Sequence, residues 1–215
     1  NFRNHRKIVV IDGVTGFAHF FEHMMFNGAK KYGPKIFDRV MEAAGGSNNA
    51  YTTENVTVYT DFFPSSVLET IFELEADRIA NLALDDKMVE SEREVVMSEW
   101  ITTLENSNWE ILEQQVKSAA LFAHPYRWPV LGYESDIKNW KKSDLQKYFE
   151  TYYAPNNAVA VITGDITLEK VKILAKKYFQ PIPPQEPPPA VHTVEPPQLG
   201  EKRLYVKKDV SSPNI

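Results

Sequence analysis

Residues 16–28, GFAHFFEHMMFNG, constrain the fold of this chain more than any other stretch. They are almost wholly apolar, which predicts a helix over residues 16–27 that ends at the following glycine. At about 100° per residue, His19, Glu22 and His23 fall within an arc of about 100° on one face of that helix. Phenylalanines and methionines cover the rest of its surface, so we expect the helix to be buried nearly all round.

Two imidazoles and a carboxylate on a buried face need partners, because burying polar or charged groups is costly when nothing pairs with them. One interpretation is a pair of core histidines bonded to nearby carbonyl groups. Another is a divalent metal, since imidazoles at positions i and i+4 lie close enough to share one ion. His19, Glu22 and His23 form the pattern H-x-x-E-H, the inverted form of a zinc-peptidase motif. In such a site the glutamate takes a proton from a water beside the ion.

A zinc ion held by two histidines needs a third protein ligand. The chain has no cysteine, so this ligand has to be a histidine or a carboxylate. His124 precedes a proline in a predicted loop, and nothing else in the sequence supports it. Glu92 and Glu99 are better candidates, because a spacing of seven residues places them on one face of a predicted helix. They lie about 10 Å apart along the axis, so one would bind the ion and the other would orient a histidine.

Spacing alone does not choose between Glu92 and Glu99, and both could instead be solvated, as most helical glutamates are. The rest of the pattern indicates an α+β fold, with helices packed on one face of a mainly antiparallel sheet. Helical patterns follow Pro34 and cover residues 65–81, 86–122 with a break near 106–108, the stretch before Tyr152, and the stretch after Thr167. Strands are predicted at residues 7–11, 47–53, 56–63, 157–164 and 202–208.

Several segments, in the same order, resemble the N-terminal catalytic half of the pitrilysin-type (M16, inverzincin) zinc metallopeptidase family. They are HFFEH, with Glu99 about 75 residues later, and GFAHFFEHMMFNGAKKYG, GGSNNAYTTENVTVY, HPYRWPVLGY and YYAPNNAVAVITGDI. The resemblance covers roughly residues 14–210 and implies the fold of a metallopeptidase M16 (LuxS-like) half.

Carried over position by position, the resemblance implies that His19, His23 and Glu99 bind one Zn²⁺ per chain. It implies that Glu22 is the general base, which accepts a proton from water and returns it to the leaving amine. It also implies that Glu92 orients a histidine without binding the ion. The resemblance, and not the spacing, therefore selects Glu99 as the third ligand.

The resemblance further implies that the substrate is a peptide or an unfolded protein segment, which adds as a strand to the sheet edge at residues 47–53. Backbone groups of Asn49, Ala50 and Tyr51 would hold this peptide, and Phe26 is a further substrate-binding candidate, one turn beyond Glu22 on the same helix. The alternative interpretation is an ordinary turn and strand, since asparagine-rich ends are common.

Composition and charge bear on the partners. The net charge is −5 and the pI is about 5.6, which argues against nucleic acid because no basic excess exists to neutralise phosphates. No apolar run is long enough to span a membrane. The resemblance implies a second homologous half or a partner subunit. It is nearest to bacterial members, which weakly favours the periplasm as the compartment.

The domain organisation that we expect has four parts. They are an atypical N-terminal segment (1–13), a zinc peptidase domain (14–180), a proline-rich linker (181–200) and the truncated start of a second homologous domain (201–215). The linker is marked by eight of the fourteen prolines, which lie between residues 181 and 197.

The first 13 residues depart from the family. Their pattern H-x-K-x4-D, formed by His5, Lys7 and Asp12, resembles one half-motif of the phospholipase D superfamily. That family builds its site from two copies, and the sequence contains no second one. A charged approach to a buried strand is the alternative interpretation.

Three functions follow. The first is a zinc metalloendopeptidase half. The second is a catalytically incomplete structural or partner subunit of an M16-type complex, against which the intact H-x-x-E-H argues. The third is a phosphodiesterase, whose activity chelators would spare and His5→Ala would abolish.

Overall fold

The computed structural model describes residues 13–208. The strand predicted at residues 7–11 and the pattern of His5, Lys7 and Asp12 lie outside the described residues. The helices and strands, in chain order, are α1 (Phe17–Asn27), α2 (Ile36–Ala43), β1 (Ser47–Thr52), β2 (Thr57–Phe62), α3 (Leu68–Asn81), α4 (Asp86–Asn106), α5 (Asn108–Ala120), α6 (Glu134–Asn139), α7 (Lys142–Tyr152) and α8 (Leu168–Tyr178). The predicted α+β class is confirmed.

The helix break predicted near residues 106–108 is present between α4 and α5. Ser107 ends α4 and also caps α5, because its side-chain oxygen accepts a hydrogen bond from the Glu110 backbone N–H at 3.1 Å. Thr167 caps α8 in the same way, with the Lys170 N–H 3.3 Å away. These short polar side chains satisfy amides that the first turn of a helix leaves unpaired.

The strands β1 and β2 form an antiparallel hairpin whose register runs from Ser47 opposite Phe62 to Thr52 opposite Thr57. Helices α1 and α2 pack against β1. In the described part of the chain the sheet has these two strands alone. The strands predicted at residues 157–164 and 202–208 were wrong: neither segment pairs with another described strand. An extended segment becomes a strand only when a neighbour accepts its backbone hydrogen bonds.

The main core forms around α1. Seven of its eleven residues are buried. Five of these seven pack with residues of α4, α6 and α7, and with Trp140 just after α6, in one apolar cluster. Its buried members are Phe17, Ala18, Phe20, Phe21, Met24, Val89, Val96, Ile137, Trp140, Leu145 and Tyr148. The prediction that this helix is covered nearly all round is confirmed, and α1 is therefore the central element of the fold.

The start of α1 is held by a close backbone contact. Gly16 has φ +88°, and a Cβ at this position would lie 2.6 Å from the Leu131 carbonyl oxygen. The preceding Thr15 accepts a bond from the Tyr133 N–H at 2.9 Å and donates its hydroxyl to Asp136 at 2.6 Å. Only glycine suits the position after Thr15, because it tolerates positive φ and has no side chain to clash.

A smaller core joins α2 and α3 and contains one buried cation. Arg78 is 2% exposed and lies over the rings of Phe37 and Tyr59, with its guanidinium carbon 4.5 and 4.6 Å from their centres. It pairs with Glu75, whose Oε1 is 2.5 Å from an Arg78 nitrogen. Burial raises the pKa of Glu75 to about 7, although the Arg78 charge acts in the opposite direction.

The segment after α8 continues without helix or strand and crosses the C-terminal ends of two helices. The carboxylate of Glu195 accepts hydrogen bonds from three successive amides, those of Phe122, Ala123 and His124, at 2.6–2.9 Å. Further along, the Lys202 ammonium donates to the last carbonyls of α5 at 2.8 and 3.0 Å. The Lys202 contacts are favourable because cations are stabilised at helix C-termini. Together with the Glu195 contacts they attach an otherwise exposed segment to the helices.

Candidate metal centre

Two neighbouring faces of α4, one apolar and one acidic, contact α1. Val89 and Val96 are buried against α1. Glu92 and Glu99 have the same spacing and lie three residues further along the helix, so they occupy the neighbouring face. Packing of the apolar face therefore brings both carboxylates to the polar face of α1.

Three ligand atoms converge at this contact. The Nε2 atoms of His19 and His23 are 3.3 Å apart, and Glu99 Oε2 lies 3.6 Å from the first and 3.2 Å from the second. Bonds of about 2.0–2.1 Å in a tetrahedral zinc site put ligand atoms about 3.3–3.4 Å apart. The geometry and the donor types therefore fit a zinc ion. Within residues 13–208, this is the one group of three such side chains with compatible spacing.

Glu92 lies on the other side of the His23 ring. Its Oε1 is 2.8 Å from His23 Nδ1, and its Oε2 accepts a bond from the Asn27 amide at 2.5 Å. A carboxylate at Nδ1 holds the proton there, which leaves the Nε2 lone pair of His23 directed at Glu99 and His19. The structure thus places Glu92 where a residue that orients a histidine would lie.

The charges of the centre favour metal binding. Burial alone would lower the pKa of His23, but hydrogen bonds to Glu92 and Glu99 raise it to about 9. Hydrogen bonds from His19 and His23 hold the pKa of Glu99 well below its usual range, although 43% of its side chain is exposed. The carboxylates of Glu92 and Glu99 attract a proton to His23. A divalent cation bound here would replace that proton.

The second ring nitrogen of His19, Nδ1, is buried and makes no hydrogen bond to the described residues. The interpretation of a histidine pair bonded to carbonyls requires such a partner, so this atom gives it no support. His124, the other histidine considered as a ligand, packs edge-on against Tyr126 and accepts a hydrogen bond from the Tyr126 N–H at 3.3 Å. It caps a short turn and takes no part in the cluster.

Glu22 and two of the three clustered side chains, His19 and Glu99, line a cleft of about 510 Å³. The cleft is bounded by β1 and the hairpin tip on one side, by α4 and α5 on another, and by residues 127–132. The Glu22 carboxylate accepts a 2.5 Å hydrogen bond from the Thr52 hydroxyl. The cleft therefore joins two of the clustered side chains, the Glu22 carboxylate and a strand edge in one space.

The edge of β1 borders this cleft. Ala50 and Tyr51 line it, and Asn49 precedes them with its carbonyl bonded to the Thr60 hydroxyl at 3.1 Å. The Ala50 N–H donates to the side chain of Asn49 at 2.9 Å, and not to β2. This amide consequently points to the free edge of the hairpin, where an incoming carbonyl could replace the asparagine oxygen.

Phe26, the fourth predicted substrate contact, lies elsewhere. Its ring packs edge-on against Phe37 and lies 5.4 Å from the Arg78 guanidinium, in the core between α2 and α3. It is not among the residues that line the cleft. Two other residues were not predicted: Thr52, which bonds Glu22, and Asn27, which bonds Glu92. Asn27 follows His23 by four residues, and this spacing could have indicated it.

The chain is similar to a known family over nearly all of its length. A family model described as Insulinase (Peptidase family M16) matches residues 12–133, and one described as Peptidase M16 inactive domain matches residues 139–215. In the described part of the chain, no helix combines the length and the apolar character needed to cross a membrane.

Individual relatives include the zinc protease PqqE of Helicobacter pylori, which is 32% identical over 92% of this chain and 45% of its own length. The crystal structure of a protease from Helicobacter pylori superposes with a TM-score of 0.80 at 30% identity, over 87% of this chain and 45% of that one. Subunit 1 of the bovine mitochondrial cytochrome b-c1 complex is 25% identical over 91% of this chain and 40% of its own length. The chain thus spans less than half the length of these relatives.

Proposed function

The chain belongs to peptidase family M16, and from that premise we propose that it is the catalytic half of a zinc-dependent metalloendopeptidase, acting on peptides or unfolded protein segments. The observation that supports this most is the set of three ligand atoms, from His19, His23 and Glu99, separated by 3.2–3.6 Å. A spacing suited to one zinc ion, formed by two histidines and a carboxylate, is typical of catalytic sites that leave a fourth position for water.

In this proposal His19, His23 and Glu99 hold one Zn²⁺ per chain, and Glu92 keeps the His23 ring in the tautomer that can bind it. When bound, zinc lowers the pKa of a neighbouring water and polarises the scissile carbonyl. Asn27 fixes Glu92 in turn, through its amide. The ligand set therefore depends on α1 and α4 staying packed together.

Glu22 is the proposed general base. It lies in the cleft beside His19 and Glu99, one residue before His23, and its carboxylate is not paired with any described cation. From this place it takes the proton of the attacking water and later delivers it to the leaving amine. A single carboxylate can do both, because the leaving nitrogen is generated close to the attacked carbonyl.

The peptide is proposed to lie along β1. Ala50 offers an outward amide, and Asn49 and Tyr51 flank it on the same edge. A peptide added as a strand would be held by its own backbone, with alternate side chains facing the cleft. Such recognition suits extended or unfolded segments, because a folded protein does not present a free backbone. Phe26 would influence this edge only through the packing of α2 and Tyr59.

The second candidate function is a structural or partner subunit. It is favoured by the similarity to a cytochrome b-c1 complex subunit. In either case we propose that a second homologous half or a partner subunit completes the cleft. We also retain the proposed boundaries, with a peptidase domain at 14–180, a linker at 181–200 and the start of a second domain at 201–215.

Metal content and peptide hydrolysis, measured on the same preparations, test the proposal. We expect about one zinc per wild-type chain, strong loss of zinc in Glu99→Gln, and retention in Glu94→Gln, an exposed glutamate on the same helix. Glu22→Gln should keep zinc yet lose hydrolysis of an unstructured peptide, assayed with and without a complementary second half. Zinc in the wild type without hydrolysis, even with that half, would favour the subunit. Absence of zinc from the folded wild type would contradict both the cofactor and the reaction.

A further inference from the structure

Thr52 connects the strand edge of the cleft to Glu22. It is the last residue of β1, and its hydroxyl donates a 2.5 Å hydrogen bond to Glu22 Oε2. On its other side the same hydroxyl lies 3.1 Å from the hydroxyl of Thr57, its partner across the hairpin. The Thr52 side chain is thus fixed by β2 while it holds the carboxylate of α1.

A second pair of hydroxyls reaches α1 beside this one. The Tyr153 hydroxyl is 3.0 Å from that of Tyr59, which stands on β2 two residues after Thr57. Tyr59 also donates to the carbonyl oxygen of Phe21, 3.3 Å away. Two sets of hydroxyls therefore meet neighbouring residues of α1, one at the Glu22 side chain and the other at the Phe21 backbone.

Tyr153 and Tyr59 stay in one protonation state. Burial raises the pKa of Tyr153 to about 12 and raises that of Tyr59 well above its ordinary value. Both therefore remain neutral hydroxyls at any physiological pH, able to donate and accept at once. Thr52, whose hydroxyl bonds Glu22, is itself held by Thr57 across the hairpin, so Glu22 has a fixed protein partner that does not depend on solvent.

A glutamate side chain has several rotatable bonds, and an untethered one samples many rotamers. A general base has to lie within hydrogen-bond reach of the proton that it abstracts. Misplacement by about 1 Å can cost about 100-fold in rate. From these contacts we propose that Thr52 is a positioning residue, which fixes the Glu22 carboxylate relative to both the clustered ligands and the peptide-binding edge of β1. This inference rests on the proposed function, because it assigns a task to Glu22 as the base.

The position of Thr52 along β1 gives its hydrogen bond to Glu22 a second consequence. Thr52 follows Ala50 by two residues, so both side chains stand on the same face of the strand. The strand that offers its amide to the peptide therefore also holds the base by a side chain. A peptide that sits correctly on β1 is then automatically in register with Glu22.

The alternative is that Thr52 only stabilises the hairpin, since threonine pairs across two strands are favourable in themselves. The two roles predict different results for Thr52→Val, which keeps the β-branched shape and removes the hydroxyl, and for Thr52→Ser, which keeps the hydroxyl. Thr151→Val is the matched control, because Thr151 is a half-buried threonine of α7, outside the cleft, whose hydroxyl bonds a carbonyl of its own helix.

For the zinc-loaded protein, assayed with the second half where hydrolysis requires it, we expect Thr52→Val to lower kcat about 10- to 100-fold. KM and zinc content should remain within about twofold of the wild type, because the contacts with peptide and metal are unchanged. Thr52→Ser should restore kcat to within about threefold, and Thr151→Val should have no effect. A Thr52→Val protein that is less stable but has the wild-type kcat would overturn the inference and assign Thr52 to the hairpin alone.

A second readout does not require activity. Crystal structures of the zinc-loaded wild type and Thr52→Val should show one Glu22 rotamer in the first and several, or a different one, in the second. The same single rotamer in both proteins would also overturn the inference. Because this comparison needs no turnover, it tests Thr52 even if the wild type proves inactive, a result that would count against the proposed function only.

Discussion

Two apolar stretches of this chain, α1 and residues 157–164, lie in opposite environments. Seven of the eleven residues of α1 are buried, and the helix forms the middle of the main core. In the second stretch, Val159 is 90% exposed and Val161 is 82% exposed, although the sequence alternates as a strand should. Apolar content alone therefore does not decide which stretch is covered.

The difference follows from where each backbone finds its hydrogen bonds. A helix satisfies most of its amides and carbonyls within itself, so α1 needs neighbours only for its side chains. A strand has to find a second strand, and the described residues supply none for 157–164. The two helices that carry the proposed zinc ligands satisfy their backbone hydrogen bonds without any contribution from the sheet. The proposed zinc centre therefore does not depend on strand pairing.

The largest expected effect is on the free energy of unfolding, and it is tested by substituting one residue from each stretch. Phe20→Ala removes a fully buried ring from the α1 core and should lower the free energy of unfolding by about 3–5 kcal/mol. Val161→Ala removes methyl groups that solvent already reaches, and the change should stay within about 0.5 kcal/mol. Chemical denaturation of both variants measures this. A comparable loss in Val161→Ala would show that residues 157–164 are covered in solution, and the contrast between the two stretches would fail.

The next effect concerns the part of the centre that α4 contributes. Glu92→Gln keeps an acceptor near His23 but removes the charge that holds the ring proton on Nδ1. We expect zinc affinity to fall about 10- to 100-fold, measured by competition with a fluorescent chelator. Glu94→Gln, on the same helix and outside the cluster, is the control. Equal affinity in the two variants would mean that Glu92 has no part in orienting His23.

The helices and the histidine pair could be predicted from the sequence because their signals are local. A spacing of four residues puts His19 and His23 on one face, and a spacing of seven does the same for Glu92 and Glu99. The structure brings the two pairs together across 69 to 80 positions of sequence. Helical periodicity could not fix that contact, and it left open which glutamate would meet which histidine.

Side chains that depend on tertiary contacts were beyond the sequence argument. Thr52 meets Glu22 only because β1 packs on α1, and nothing in the sequence around Thr52 distinguishes it from Thr53. Phe26 was assigned to the substrate from its position on the helix face, whereas the structure packs it beside Arg78. The two strands that were predicted wrongly have the same origin, because pairing is a property of two segments and the sequence pattern describes only one.

A third effect tests the small core beneath the hairpin. The pKa of Glu75 is raised from 4.5 to about 7 by burial, so between these values the folded chain retains a proton that the unfolded chain releases. Stability from this group is therefore complete below pH 4.5 and is lost as the pH rises through 7. The full shift corresponds to about 3 kcal/mol. Because 27% of the Glu75 side chain is accessible to solvent, we expect a smaller contribution to the free energy of unfolding, about 1–2 kcal/mol.

Glu75→Gln cannot titrate, so its unfolding free energy should change less between pH 5 and pH 8 than that of the wild type. Urea denaturation across this range measures the difference. Glu94→Gln again serves as the control and should retain the wild-type slope. If Glu75→Gln also retained that slope, the carboxylate would have to be ionised and fully paired with Arg78 throughout the range.

The smallest expected effect is local and concerns how the exposed segment is attached. Glu195 accepts hydrogen bonds from the amides of Phe122, Ala123 and His124, which follow the end of α5. Glu195→Ala should therefore speed hydrogen exchange at these three amides about tenfold, while amides in α1 keep their wild-type rates because its core is untouched. Glu186→Ala, an exposed glutamate of the same segment, should alter neither set. Faster exchange in α1 as well would mean that the attachment of this segment also stabilises the helices that carry the proposed zinc ligands. The two regions would then have to be treated as one cooperative unit.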